Sequence, residues 1–271
     1  LFPYTTLFRS ILLGYLIGGN IETASVTDAA PAMMIAMGIF LLAFLIIFFT
    51  NIPEPHLETA EQRANKQKDT HSPLSFRHFV LGALAIFFYV GVEVGIPNMA
   101  NLYMSNNPAV GAAIAGTVVG FYWLMMMVGR LIGGAIGGKV SSKTMLACVS
   151  LMNIVLLICV IFFPEEWVIA FKGVQLPVSM IVMFLCGLCT SVMWGAIFNL
   201  AAEGLGKYTP AASGIFMTLV CGGGIIPLLQ GWVADSIGYL GSYVVTICAL
   251  LYILWYALFG SKNVNTDIPV K

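Results

Sequence analysis

The longest apolar stretches set the strongest limit on what this chain can fold into. A helix needs about 20 apolar residues to cross a bilayer. Only 9% of the residues are charged, whereas a soluble domain carries about 25%. We therefore predict an all-α integral membrane protein, a helical bundle with about seven full transmembrane helices and a truncated one at 11–18. The seven full stretches are 31–51, 77–104, 110–138, 143–163, 176–201, 209–233 and 238–260.

The basic residues outside these stretches predict an orientation. Cytoplasmic segments of membrane proteins are enriched in Lys and Arg. If the spans alternate, one side of the membrane carries only Lys172. We expect a multi-pass protein of the cell inner (plasma) membrane, with the 52–76 linker and the C-terminus cytoplasmic. The other side then carries Arg63, Lys66, Lys68, Arg77, Arg130, Lys139, Lys143, Lys207, Lys262 and Lys271.

One long polar segment divides the chain. Residues 52–76 are expected to be a cytoplasmic linker between 11–51, the end of an N-terminal half, and 77–260, a C-terminal six-helix half. Residues 261–271 are then a cytoplasmic tail. Two-half membrane proteins of this kind are often carriers with a site near the bilayer midplane. The expected partners are the lipid bilayer and a missing N-terminal half of the same protein.

The first ten residues fit poorly with the rest of the chain. LFPYTTLFRS resembles a translated sequencing adapter, so residues 1–10 are interpreted as a non-native segment. We expect the chain to be a partial copy, and we expect residues 11–271 alone not to transport.

Glu93 is the most informative single residue. It lies about sixteen residues into the 77–104 span, about 24 Å along a helix. A carboxylate at that depth costs about 2.5 kcal/mol or more unless it is paired, hydrated or protonated. Glu93 is therefore a candidate acceptor for a solute hydroxyl or a coupling-ion site. The alternative is a structural acceptor that ties two helices together.

Pro97 follows Glu93 by four residues and removes the hydrogen bond to the Glu93 carbonyl. We expect the helix to kink or open there, which is tolerated where it faces protein or a watery cavity. Asn98 and Asn101 carry donors and acceptors suited to hydroxyl groups. Asn101 shares a broad helix face with Glu93, whereas Asn98 lies about 140° away. An ordinary proline kink is the alternative.

A second interrupted element occurs in the 209–233 span. Gly222, Gly223 and Gly224 precede Pro227, and they give little side-chain bulk next to a missing hydrogen bond. We interpret this as a bending point for alternating access. Close packing against a neighbouring helix is the alternative.

The segment GRLIGGAIGGKVSSK (129–143) repeats glycine at four-residue spacing, starting at Gly129. Small residues at this spacing let helices approach closely. Arg130 and Lys139 are expected at the cytoplasmic exit of the helix. Phosphate binding by this glycine pattern is disfavoured, because no strand precedes it.

Aromatic and amide side chains within the spans complete the candidate substrate contacts. Tyr122 and Trp123 lie on the 110–138 span, while Trp194 and Asn199 lie on the 176–201 span. Indole faces can stack on sugar rings, and amides can bond sugar hydroxyls. Packing and interface roles are the common alternative for tryptophan in membranes.

Several classes of protein are disfavoured. All six cysteines lie in apolar runs, and the Cys186–Cys189 pair lacks a second pair, so neither metal nor redox chemistry is expected. The three histidines are assigned to the polar linker, and no HExxH or GxSxG motif occurs, so we expect no catalytic residues and no enzyme. The net charge of zero indicates no nucleic-acid partner.

Four segments together resemble the major facilitator superfamily, and within it the C-terminal half of the fucose permease-like sugar:proton symporters. The segments are FFYVGVEVG (87–95), VGRLIGGAIGGKVSSK (128–143), GAIFNLAAEGLGKYTPAASG (195–214) and CGGGIIPLLQGWVADSIG (221–238). The resemblance implies two six-helix halves, alternating access, and uptake of fucose, galactose or glucose with protons, or with sodium in some relatives. No other cofactor is implied.

The resemblance also bears on single residues. Family members carry their proton-coupling acids mainly in the first half, so it favours sugar contact for Glu93. Its loop motif implies that Arg130 pairs with an acid at a neighbouring helix end, and we predict a cytoplasmic latch between Arg130 and Glu203 that breaks when the inside opens. A static surface pair is the alternative. A carrier of a different small solute and a non-transporting sugar sensor remain open, although an anion carrier is disfavoured because no cation is expected deep in the membrane.

Overall fold

A computed structural model describes residues 30–50, 71–108, 110–164, 166–171, 173–265 and 267–269. The adapter-like segment, the truncated helix at 11–18 and most of the 52–76 linker lie outside these described residues.

The described residues are mainly helical, as the long apolar stretches predict. A helix satisfies most of its backbone hydrogen bonds internally, which is the requirement that a bilayer imposes. The α-helices are α1 (Ala30–Phe49), α2 (Arg77–Ser105), α3 (Gly111–Ile136), α4 (Ser142–Phe162), α5 (Val178–Thr190), α6 (Met193–Ala202), α7 (Thr209–Leu219), α8 (Gly222–Gly241) and α9 (Tyr243–Trp255). Short 3₁₀ turns lie at Pro73–Ser75 and Gly206–Tyr208, and a π-turn at Tyr256–Gly260 follows α9.

The prediction of a membrane-spanning helical bundle is confirmed. In the described part of the chain, six helical segments are long and apolar enough to cross a membrane: Arg77–Ser105, Ile114–Ile136, Ser142–Phe162, Val178–Ala202, Gly206–Gly241 and Tyr243–Gly260. These six correspond to the six spans predicted after the linker. The stretch predicted at 31–51 forms the shorter apolar helix Met33–Phe49.

Two of these spans are interrupted. The fourth divides into α5 and α6 at Ser191–Val192, and the fifth divides into α7 and α8 at Val220–Cys221. Gly238 has a φ of 81° near the end of α8, a conformation that glycine adopts without steric penalty. The last helix consequently begins at Tyr243 rather than at 238.

A β-hairpin joins α4 to α5. Strand β1 (Val168–Phe171) pairs antiparallel with β2 (Val174–Pro177), with Val168 opposite Pro177. Gly173 adopts a φ of 82° between the strands, which suits a tight connection. Residues 176 and 177 therefore belong to a strand, and the following span begins at Val178.

Helix α2 is the centre of the bundle, and it contacts α3, α5, α6, α7, α8 and α9. Its closest packing is against α8. A Cβ atom at Gly91 would overlap the side chain of Ile226, and one at Gly222 would overlap the Phe87 backbone. Small residues at these points let the two backbones approach, and this close approach fixes which face of α2 is left for other neighbours.

Candidate functional site

An ion pair links α2 and α3 inside the bundle. Arg130 Nη2 lies 3.4 Å from Glu93 Oε1. The side chains of Glu93 and Arg130 keep 15% and 31% of their surface exposed, so the pair is neither sealed nor at the open surface. Arg130 Nη2 also lies 3.7 Å from the Met126 sulfur one turn earlier. A paired guanidinium is one of the ways in which a carboxylate becomes tolerable at membrane depth.

In this structure Arg130 pairs with Glu93, not with Glu203, so the predicted latch is not formed here and stays a prediction. Arg130 lies six residues before the end of α3, about 9 Å along the helix, and its long side chain reaches inward. Glu203 directly follows the last residue of α6. Its backbone carbonyl accepts a hydrogen bond of 2.9 Å from His78 Nε2. His78 is fully buried in the first turn of α2, so its assignment to the polar linker is wrong.

The position of Arg130 corrects a second expectation. An anionic solute was disfavoured because no cation was expected within the bundle. The guanidinium of Arg130 pairs with the partly exposed Glu93 carboxylate, so a cation does lie between α2 and α3.

Tyr122 supplies the hydrogen bond that Pro97 removes. Its hydroxyl donates to the Glu93 carbonyl at 3.2 Å, and this carbonyl is the one that the missing N–H of Pro97 leaves free. Tyr122 is fully buried, and its hydroxyl also lies 3.1 Å from Thr190 Oγ1. Helix α2 consequently runs without interruption from Arg77 to Ser105, and the predicted opening at Pro97 is not present.

Two aromatic pairs involve residues close to Glu93. Tyr89, one turn before Glu93, packs edge-on against Trp194 of α6, with ring centroids 6.0 Å apart. Trp123 packs edge-on against Tyr122 at 5.4 Å. Both indoles are partly exposed. Glu93 thus contacts Arg130 through its carboxylate and Tyr122 through its carbonyl, which links α2 to α3. Trp123 packs on Tyr122, and Trp194 of α6 packs on Tyr89.

Three asparagines were predicted to contact the substrate. Among the described residues, none of them is seen in contact with the residues around Glu93. Asn98 is exposed. Asn101 accepts a hydrogen bond of 2.8 Å from Ser105 on its own helix. Asn199 is exposed and lines a separate cavity with Glu203.

The sequence matches the profile of the Major Facilitator Superfamily over residues 6–227. The chain belongs to the major facilitator superfamily. It is 33% identical over 244 residues to a glucose/galactose transporter of Brucella abortus, a match that covers 89% of this chain and 56% of the relative. It is 30% identical to a putative glucose/galactose transporter of Helicobacter pylori, with coverage of 87% and 56%.

A third relative is the L-fucose-proton symporter of Escherichia coli, 27% identical over 238 residues, with coverage of 85% of this chain and 51% of the symporter. These relatives confirm the fucose permease-like resemblance. The chain spans about half the length of the curated relatives it matches.

Solved structures share the fold of this superfamily member. A crystal structure of the E. coli fucose:proton symporter superimposes with a TM-score of 0.70 at 22% identity, covering 95% of this chain and 65% of that one. A structure described as the same transporter in the outward conformation gives 0.67 at 20% identity, covering 96% and 68%.

Some of the glycines in the glycine-rich segments of α3 and α8 lie at close helix contacts, and others do not. A Cβ at Gly129 would overlap Ser191, at the break between α5 and α6, and one at Gly223 would lie 2.9 Å from Val90. Gly224 has no atom within 4 Å of such a Cβ. Pro227 lies within α8, and the interruption falls earlier, at Val220–Cys221. Lys139 is exposed beyond the end of α3.

Reading the sequence missed one residue near the site, Tyr89, and the partner of another, Arg130. Tyr89 lies four residues before Glu93, and residues at that spacing share a helix face, so this signal was present. Arg130 was recognised, but its partner depends on how α2 packs on α3, which no local pattern encodes.

The expectation that the cysteines have neither a metal-binding nor a redox role stays a prediction. Cys186 and Cys189 are free thiols buried in α5. Among the described residues, no group of three or more His, Cys, Asp or Glu side chains is placed to hold a metal ion.

Proposed function

We propose that this chain is the C-terminal half of a proton-coupled monosaccharide carrier of the glucose, galactose or fucose type, which works by alternating access. The names of the curated relatives support this substrate class. Their greater length supports a second half, since carriers of this plan place the solute between two halves.

The observation that carries the proposal is the Glu93–Arg130 ion pair between α2 and α3. Tyr122 bonds the Glu93 carbonyl, and Tyr89 lies one turn earlier on α2. A carboxylate accepts hydrogen bonds and a guanidinium donates them. Charged groups form stronger hydrogen bonds than neutral ones. A sugar hydroxyl, which both donates and accepts, can replace part of the ion pair without leaving either charge unsatisfied. The partly exposed indoles of Trp123 and Trp194 offer the apolar faces that a sugar ring requires.

We propose that the same pair also contributes to proton coupling, beside the acids that the family resemblance places in the first half. A proton on the Glu93 carboxylate removes its negative charge and weakens its attraction to Arg130. The guanidinium can then turn toward the solute or toward another acid. The coupled ion is accordingly proposed to be H⁺, bound at Glu93 in this half of the protein.

The proposed location is the cell inner membrane, with the 52–76 linker and the C-terminus in the cytoplasm. The support is the bias of Lys and Arg toward one side of the spans. Cysteine labelling with a membrane-impermeant reagent at an introduced cysteine in the tail, such as Asn263→Cys, would test this orientation. Labelling of intact cells would contradict it.

The main test is uptake of labelled glucose, galactose and fucose by the complete gene product in proteoliposomes, driven by an inward proton gradient. Glu93→Ala should reduce uptake about tenfold or more, because it leaves Arg130 unpaired and removes one hydroxyl acceptor. Glu93→Gln keeps an acceptor and should retain sugar binding while losing the response to the gradient. Asp235→Asn, which removes an exposed carboxylate on α8, is the matched control. Unchanged affinity and uptake in both Glu93 variants would remove Glu93 from the site.

Arg130 favours a second candidate, a carrier for small carboxylate-bearing solutes such as sugar acids. The two candidates separate in a competition assay. Excess neutral sugar should block uptake in the first case, whereas excess sugar acid should block it in the second. Arg130→Gln should weaken binding of the acid far more than binding of the neutral sugar.

A further inference from the structure

A cavity of about 840 Å³ lies away from the Glu93 site, at one end of the bundle. It is lined by the first residues of α4, the end of α6 and the π-turn after α9. Its charged members are Lys143, Lys262 and Glu203, and its apolar members include Leu258 and Phe259. The proposed carrier cycle assigns no role to it.

Among the described residues, the charged side chains of this cavity form no salt bridges. Lys143, Lys262 and Glu203 are all exposed, and in the described part of the chain the ion pair that forms is Glu93–Arg130. Two ammonium groups and one carboxylate therefore share one concave surface. A ligand that carries one phosphate and one ammonium would match both signs at once.

The cavity lies at the level where the spans end. The span of α4 begins at Ser142, the span that includes α6 ends at Ala202, and the last span ends at Gly260. Residues at the ends of membrane helices lie beside lipid headgroups. Leu258 and Phe259 lie within the last span, with 43% and 71% of their surface exposed. An apolar strip thus runs from the charged cavity toward the hydrocarbon.

We propose that this cavity binds a phospholipid, and specifically the headgroup of a phosphatidylethanolamine. Its phosphate is held by Lys143 and Lys262, and its ammonium by Glu203. One acyl chain lies along Leu258 and Phe259. Basic pockets between transmembrane helices are known to bind lipid headgroups. The proposal does not depend on the transported solute.

The carboxylate selects this lipid over two common alternatives. Phosphatidylglycerol offers the phosphate but places no cation on Glu203. Phosphatidylcholine offers a quaternary ammonium, which cannot donate a hydrogen bond to the carboxylate. Phosphatidylethanolamine has a primary ammonium with three donors, the same group as a lysine side chain.

The test is thermal unfolding of the purified 271-residue chain in mixed micelles with each of the three lipids, together with native mass spectrometry to count bound lipids. Phosphatidylethanolamine should raise the unfolding temperature most and should survive as an adduct, because a ligand that binds the native state stabilises it. Soluble phosphoethanolamine, which lacks acyl chains, should not reproduce the effect.

Variants of the cavity residues, with a control lysine outside the cavity, test which side chains hold the lipid headgroup. The double change Lys143→Gln/Lys262→Gln should weaken lipid binding about tenfold or more, through loss of charge-assisted hydrogen bonds. Glu203→Gln should abolish the preference for phosphatidylethanolamine over phosphatidylcholine while keeping phosphate-dependent binding. Lys139→Gln, an exposed lysine at the same end but outside the cavity, should leave binding unchanged. Equal stabilisation by all three lipids, a stronger effect of phosphatidylglycerol, or full adduct formation by the double variant would overturn the proposal.

Discussion

Two faces of helix α2 make different kinds of contact with their neighbours. One face carries Gly91 and Gly95, which lie against Ile226 and Gln230 of α8. The other carries Glu93, which lies two residues from each glycine and so about 160° around the helix from both. The glycine face leaves no room for a methyl group, whereas the Glu93 side chain keeps 15% of its surface exposed and meets a movable arginine.

The difference separates rigid packing from adjustable contacts on a single helix. The α2–α8 face relies on close backbone approach, where steric overlap sets the energy. The Glu93 face relies on an ion pair, one hydrogen bond and edge-on aromatic contacts, which can be exchanged for contacts with a solute. We therefore expect substitutions on the first face to alter stability, and substitutions on the second to alter transport with smaller changes in stability.

The largest effect on stability is expected from Gly222→Ala. Its Cβ would overlap the backbone carbonyl of Phe87, and a backbone atom in a packed helix cannot move aside cheaply. Overpacking of this kind costs about 1–3 kcal/mol. Reversible unfolding of the purified chain in mixed detergent micelles should show the loss.

Gly224→Ala is the control from the same glycine triplet. Its new Cβ meets no atom within 4 Å, and alanine is favoured over glycine in a helix by about 1 kcal/mol. This variant should be neutral or more stable. If Gly222→Ala unfolds no more easily than Gly224→Ala, the close packing of α2 on α8 is wrong.

A smaller effect is expected from breaking the ion pair. Arg130→Gln leaves the Glu93 carboxylate without its cation, and because the pair is partly exposed the cost should be about 1–2 kcal/mol, between the values for surface and fully buried pairs. The double variant Glu93→Gln/Arg130→Gln should cost less than the sum of the single variants. Additive costs would mean that the two side chains do not interact in the folded protein.

Much of this fold follows from hydropathy. Six of the predicted spans coincide with membrane-length helices of the described chain, because a bilayer admits few alternatives to apolar helices. The interruptions were harder to predict. Helix α8 has no break at Pro227, and the breaks between helices occur at Ser191–Val192 and Val220–Cys221, which contain no proline.

The candidate site was only partly predictable. Glu93 stands out by its charge, and Tyr122, Trp123 and Trp194 were recognised as aromatic groups within spans. The partner that Arg130 has in this structure was not predicted, because the family motif points to a helix end, whereas the pairing depends on tertiary packing. Asn98 and Asn199 were selected for their chemistry alone, and both are exposed.

The smallest of the three stability effects is expected from Tyr122→Phe, which tests how α2 continues through Pro97. The phenylalanine keeps the ring but removes the hydroxyl that donates to the Glu93 carbonyl. That carbonyl is buried beside a proline and has lost its helical partner, so the cost should be about 1 kcal/mol.

Tyr122→Phe should also be measured in a Pro97→Ala variant, because Pro97→Ala restores an N–H four residues after the Glu93 carbonyl. In that background the Tyr122 hydroxyl becomes redundant, and Tyr122→Phe should cost less than in the parent chain. The difference between the two costs is the coupling energy between the tyrosine and the proline. An equal cost in both backgrounds would show that Tyr122 stabilises the bundle through Thr190 or through packing alone. The uninterrupted course of α2 beside Glu93 would then need another explanation.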